Sequence, residues 1–150
     1  MNIVLVEPEI PHNTGAAGRL ALATGSTLHL IKPLGFSIDE KTIRRTGLDY
    51  WKDVDLKVWE SINEFHAANP DARLWLLSTK ASQGIWEVQF QSDDFLVFGR
   101  ESKGLPESWI HGSPETAIRI PMKDGSTRSL NLATSVAIVL YEAERQLAAK

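Results

Sequence analysis

Six short runs dense in branched and aromatic apolar residues recur along the chain, and stretches with helical spacing alternate with them. The runs are NIVLV at 2–6, TLHLI at 27–31, DLKVW at 55–59, RLWLLS at 73–78, DFLVFG at 94–99 and TAIRIP at 116–121. The helix candidates cover 13–24, 39–46, 60–68, 106–110 and 129–148. Runs apolar along their whole length belong to strands buried on both faces, and the helices between them act as crossovers that keep the strands parallel. The expected class is α/β, a mostly parallel sheet with helices on both faces. Ligands of such sheets collect at the carboxyl ends of the strands. That directs attention to residues 7–19, 78–80, 99–104 and 121–131.

The chain has 150 residues, 43% of them hydrophobic, enough for one domain spanning 1–150. It contains no cysteine, which removes disulfides, thiol catalysis and thiolate metal sites. The histidines at 12, 29, 66 and 111 lack metal-ligand spacing and read as surface or loop residues, so no metal is expected. Nothing at the start resembles a signal peptide, and no apolar run reaches the roughly 18 residues of a membrane span. The chain reads as soluble and cytoplasmic, with no membrane partner. Its net charge of -3 argues against non-specific coating of nucleic acid, although KTIRR at 41–45 leaves room for a local basic face. The tryptophans at 51, 59, 75, 86 and 109 read as core, with base stacking as the alternative for Trp51 beside the basic run.

Three stretches carry unusual chemistry. In NTGAAGR at 13–19, Gly15 and Gly18 permit tight turning and close packing, and Asn13 or Thr14 is expected to cap the helix. The stretch lacks both Gly-x-Gly-x-x-Gly and a Walker lysine, so it is no nucleotide phosphate cradle. Arg19, early in that helix, opposes the helix dipole and calls for an anion. In FGRESKGLP at 98–106, Gly99 and Gly104 frame Glu101 between Arg100 and Lys103. This is either a plain surface loop or a place where something approaches the backbone closely. In the third stretch, IPMKDGSTRSLNLATSVAIVLYEAERQLAAK at 120–150, Ser129 or Asn131 supplies a cap, and Leu132, Ala133 and Val136 to Leu140 cover nearly the whole circumference of the last helix. Such a helix is buried on several sides, which points to a second subunit and a homodimer; a central core helix in a monomer is the alternative.

Taken in this order and spacing, the three stretches resemble the motifs of the SPOUT methyltransferases, in particular the small tRNA ribose 2'-O-methyltransferases of the TrmL/YibK type. EPEIPHNTG at 7–15 and RRTGLDYW at 44–51 add matches to that subgroup. The resemblance implies S-adenosylmethionine as methyl donor and a C-terminal deep trefoil knot, which ordinary topology rules disfavour. It implies a cofactor held by Leu77, Ser78 and Thr79, by Gly99, Glu101 and Gly104, and by Ile120, Met122, Ser129 and Leu130. Backbone groups and apolar walls suit a neutral adenine and a sulfonium better than a phosphate cradle would. Arg19 is the implied activating residue, assisted by Asn13. Arginine stays protonated at neutral pH, so two roles stand open: proton acceptor, or clamp on the neighbouring phosphate.

The implied substrate is the wobble nucleotide, position 34, cytidine or modified uridine, in the anticodon stem-loop of leucine tRNAs. The implied RNA contacts are Lys41, Arg44, Arg45, Arg100, Lys103, Arg128 and Tyr141, and the dimer is implied to bring the first motif of one subunit towards the cofactor of the other. KDGSTRS at 123–129 is about one residue longer than the family pattern. A ribosomal RNA 2'-O-methyltransferase and a non-catalytic RNA-binding module remain as alternatives.

Overall fold

The computed structural model describes residues 1–38, 50–124 and 129–149. Among the described residues seven strands form one sheet: β1 Asn2–Val6, β2 Thr27–Ile31, β3 Leu56–Trp59, β4 Leu74–Leu77, β5 Gln83–Gly84, β6 Phe95–Phe98 and β7 Ala117–Arg119. Their order is β3-β2-β1-β6-β4-β7-β5, with every pairing parallel. The helices are α1 Pro11–Thr24, α2 Ile62–Ala68, α3 Glu107–Gly112 and α4 Leu132–Ala148. The expected α/β class and all six expected strands are present, trimmed by one or two residues at some ends. β5 is too short to leave a pattern in the sequence, and the helix expected at 39–46 lies outside the described residues.

Alternation along the strands sorts the apolar side chains into two cores. Ile3, Leu5, Leu28, Leu30, Leu96, Phe98 and Ile118 face one side, where α1 supplies Ala17 and Ala21 and α4 supplies Leu132, Val136, Val139, Leu140 and Ala143. Val4, Val6, Ile31, Phe95, Val97 and Ala117 face the other, covered by Phe65 of α2 and Ile110 of α3. The helices therefore sit on both faces. Among the described residues no helix is long and apolar enough to cross a membrane.

Several local expectations are corrected. The first helix begins at Pro11, whose fixed φ suits the first helical position, with Ile10 as N-cap and no side-chain cap of its own. Asn13 and Thr14 therefore lie inside the helix, not at its cap. Asn131 does cap α4, its Oδ1 accepting from the Thr134 amide at 3.1 Å. That helix buries only the stripe named above and leaves Ile138 and Tyr141 exposed, so a single chain does not surround it.

Trp51 is core and not a stacking platform: a Cβ on Gly18 would stand 2.7 Å from its Cζ3. Trp86, by contrast, is 72% exposed, because it sits on a short 3-10 turn, Ile85–Glu87, that turns Ile85 inward instead.

His29 is not a surface residue either. It lies in β2, 1% exposed, against Trp59, Phe65 and Phe95. Its Nδ1 accepts from Trp59 Nε1 at 3.1 Å, and its Nε2 pairs with Asn2 Oδ1 at 3.0 Å. That pattern requires the neutral ring with the proton on Nε2. Burial, helped by nearby Lys57, pushes its pKa down to about 4.

Candidate active site

The carboxyl ends of β4, β6 and β7 open into one cavity of about 510 Å³. This lies within the usual range for small-molecule sites, roughly 300 to 1,000 Å³. All ten residues expected to hold a cofactor line it: Leu77, Ser78 and Thr79 from the loop after β4, Gly99, Glu101 and Gly104 from the loop after β6, and Ile120, Met122, Ser129 and Leu130 between β7 and α4. Phe98 and Leu132 add apolar wall. Such walls fit the faces of a nucleoside base.

The two glycines of the second motif have separate reasons. A Cβ on Gly99 would lie 2.1 Å from the carbonyl carbon of Gly104 and 2.2 Å from the Leu105 nitrogen. What approaches Gly99 so closely is its own loop, closed by the Gly104 amide donating to the Arg100 carbonyl at 2.7 Å. Gly104 turns that loop with φ +69°, a conformation that glycine adopts without penalty.

Glu101 projects from this loop onto the start of α1. Its carboxylate accepts from the backbone amides of Glu9 and Ile10, each at 2.8 Å, and from Asn13 Nδ2 at 3.2 Å. It thereby supplies the cap that α1 lacks and places a negative charge at the positive end of the helix dipole. Asn13 is 6% exposed, and its Oδ1 accepts from Asn131 Nδ2 at 3.2 Å. Since Asn131 caps α4, one chain of hydrogen bonds runs from the loop after β6 through α1 to α4, tying the three motifs together.

Arg19 stands apart. It is exposed on α1, does not line the cavity, and holds its guanidinium 5.6 Å from the centroid of the Tyr50 ring. The Tyr50 hydroxyl in turn donates to the Gly15 carbonyl at 3.1 Å. The expected catalytic pair is therefore divided within one chain, Asn13 in the cavity wall and Arg19 outside it. Arg100 and Lys103 lie on the cavity wall, and Tyr141 is half-exposed on α4. Lys41, Arg44, Arg45 and Arg128 fall outside the described residues.

Sequence reasoning did not single out Lys80 and Glu107, which also border the cavity and pair at 2.5 Å. The Lys80 hydrogen bond holds the Glu107 carboxyl below the usual carboxylate range. No sequence spacing reveals this pair, since the two residues meet only because β4 ends and α3 begins at the same rim.

A parallel sheet with a nucleoside-sized cavity among the loops at its carboxyl edge defines an α/β protein with a site for a nucleoside cofactor. The chain belongs to the SpoU rRNA Methylase family, whose model matches residues 1–141. It is 47% identical over 154 residues to a tRNA (cytidine(34)-2'-O)-methyltransferase of Yersinia pestis, covering 98% of this chain and 94% of that protein. A solved structure described as giving insight into the 2-OH methylation of C/U34 on tRNA superposes with a TM-score of 0.91 at 43% identity, covering 99% of this chain and 97% of the other. The SpoU methyltransferase AviRb of Streptomyces viridochromogenes, solved with AdoMet, shares the fold at a TM-score of 0.81 and 22% identity, covering 99% of this chain and 58% of its own.

Proposed function

We propose that this protein is an S-adenosylmethionine-dependent ribose 2'-O-methyltransferase that acts as a cytoplasmic homodimer on the wobble nucleotide of leucine tRNAs. The observation that carries the reading is the convergence of all ten expected cofactor residues on one cavity, in a chain related over its whole length to enzymes named for cytidine-34 methylation. In the same reading the chain is one domain, and its C-terminal segment threads a deep trefoil knot.

The cofactor, when bound, supplies an electrophilic methyl group on sulfonium sulfur. The chain's own residues do the rest. Leu77, Phe98, Ile120 and Leu130 exclude water from the base, and the loops after β4 and β6 offer backbone groups for its polar edge. Arg19 binds the phosphate beside the target ribose and polarises the 2'-hydroxyl, whose proton passes to solvent water as its oxygen takes the methyl group from the sulfonium sulfur, which keeps the bonding pair. Asn13, engaged at both polar ends, holds the loops in register.

The division of Asn13 from Arg19 favours the dimer. With Arg19 outside its own cavity, a partner is needed to bring an arginine to each site. The face offered for that contact is built by α1 and α4, where Leu22 and Ile138 are each 38% exposed. Arg100, Lys103 and Tyr141, with Lys41, Arg44, Arg45 and Arg128, then meet the anticodon stem-loop. The test is incubation with unmodified tRNA and methyl-labelled cofactor, followed by nuclease mapping. Label on the 2'-oxygen of nucleotide 34 is expected, and label on a base, on ribosomal RNA alone or nowhere overturns the reading.

A further inference from the structure

The loop before α1 and the loop after β6 exchange carboxylates. Glu101 reaches across to the amides of Glu9 and Ile10. In return the Glu9 carboxylate accepts from the Ser102 amide at 2.8 Å and from the Ser102 hydroxyl at 3.0 Å. Glu9 does not line the cavity, and its side chain adds nothing to either core.

The backbone around Glu9 is held just as closely. The Gly35 amide donates to the Pro8 carbonyl at 2.9 Å, and a Cβ on Gly35 would stand 2.8 Å from the Glu9 Cα. Glu7, two residues earlier, takes a left-handed backbone with φ 53°, which costs a residue other than glycine about 1 kcal/mol. That cost is tolerated only where the surroundings fix the conformation.

Besides any contribution to stability, the double exchange joins two loops that serve different parts of the molecule. It ties residues 9–13 and 101–102 into one hydrogen-bonded body. One end of that body is cavity wall, and the other is the start of the helix that carries Arg19.

We propose that Glu9 is a positioning residue that couples occupancy of the cavity to the placement of α1, so that cofactor and RNA each strengthen the binding of the other. The inference rests on the methyltransferase reading above. A ligand that orders the loop after β6 fixes Ser102, hence Glu9, hence the entry of α1. RNA gripped by Arg19 fixes the same helix from its other side. Whichever binds second meets a frame already ordered, and linkage makes the two enhancements equal. The Ser102 backbone amide, then its hydroxyl, hold the Glu9 carboxyl below the usual carboxylate range, so the clamp stays ionised at neutral pH.

The experiment is calorimetry of S-adenosylhomocysteine binding with and without a saturating anticodon stem-loop transcript, on the unsubstituted protein, Glu9→Ala and the shape-conserving Glu9→Gln. Melting curves confirm that each variant folds. The unsubstituted protein is expected to bind roughly 5- to 50-fold more tightly when RNA is present, a typical coupling. Glu9→Ala should keep its RNA-free affinity within about twofold while that ratio falls to about one, with Glu9→Gln between. A part that was merely structural would lower the melting point and leave the ratio alone. Coupling that survives in Glu9→Ala, or no coupling in the unsubstituted protein, overturns the inference alone. No binding of S-adenosylhomocysteine to the unsubstituted protein overturns the methyltransferase reading, and the inference with it.

Discussion

His29 makes the stability of this protein sensitive to mild acid, and the size of the effect follows from its surroundings. The ring is buried among Trp59, Phe65 and Phe95, and it accepts a hydrogen bond on Nδ1. Protonation would turn that acceptor into a donor facing the Trp59 N–H. A fall in pKa from 6.5 to about 4, at about 1.4 kcal/mol for each decade, links up to about 3 kcal/mol of folding free energy to this one proton. Between those values the unfolded chain holds the proton and the folded chain does not. Acid therefore favours unfolding: the contribution is complete above pH 6.5 and is lost as the pH falls towards 4. Glu9, Glu107 and Glu142 have pKa values lowered from 4.5, so their contributions disappear only at lower pH.

Equilibrium urea unfolding at about pH 7.5 and about pH 5 should differ by about 2 kcal/mol. With a slope of about 2 kcal/mol per molar, the midpoint moves down by about 1 M urea. His29→Gln keeps a polar side chain but cannot titrate, and should lose most of that difference while being less stable at neutral pH. Equal midpoints at the two pH values in the unsubstituted protein, or the same drop in His29→Gln, would refute the reasoning.

Gly99→Ala forces a methyl group to within 2.1 Å of the Gly104 carbonyl carbon. The loop must open, and binding of S-adenosylhomocysteine by calorimetry should weaken by about 100-fold or more, in line with the several kcal/mol that severe steric conflict costs. Arg19→Ala should lower methyl transfer by at least about 100-fold while leaving cofactor affinity within about twofold, since Arg19 lies outside the cavity; a comparable loss of affinity would contradict that placement. At the opposite end of the strands, buried Asp94 accepts from Trp75 Nε1 and from the Gln91 amide, each at 2.8 Å. Asp94→Ala should cost about 2 to 3 kcal/mol in chemical denaturation by stranding those donors, with cofactor affinity unchanged.

The sheet was readable because β1, β2 and β6 are apolar along nearly their full length, as strands covered on both faces must be. The cavity was readable because the rule placing ligands at carboxyl ends picked out the loops after β4, β6 and β7 before any contact was known. His29 was misread because a histidine in an otherwise apolar strand looks the same whether it faces water or an aromatic cage. Its partners, Asn2 and Trp59, come from neighbouring strands. Asn13 was read as a local cap because its residue type favours that role, whereas the cap arrives from Glu101, 88 residues later. The pairing of Lys80 with Glu107 is illegible for the same reason. Contacts between distant loops leave no period and no spacing in a sequence.

The cap from Glu101 also bears on selectivity. A strand-to-helix turn in an open parallel sheet is where such proteins ordinarily receive the phosphates of a nucleotide. In this chain the amides of Glu9 and Ile10 at that turn are already taken by an internal carboxylate, which repels any second anion arriving there. A di- or triphosphate with the same adenosine finds no welcome at this helix end. The first strand-to-helix turn is thus closed to phosphate by the chain's own carboxylate, not left vacant.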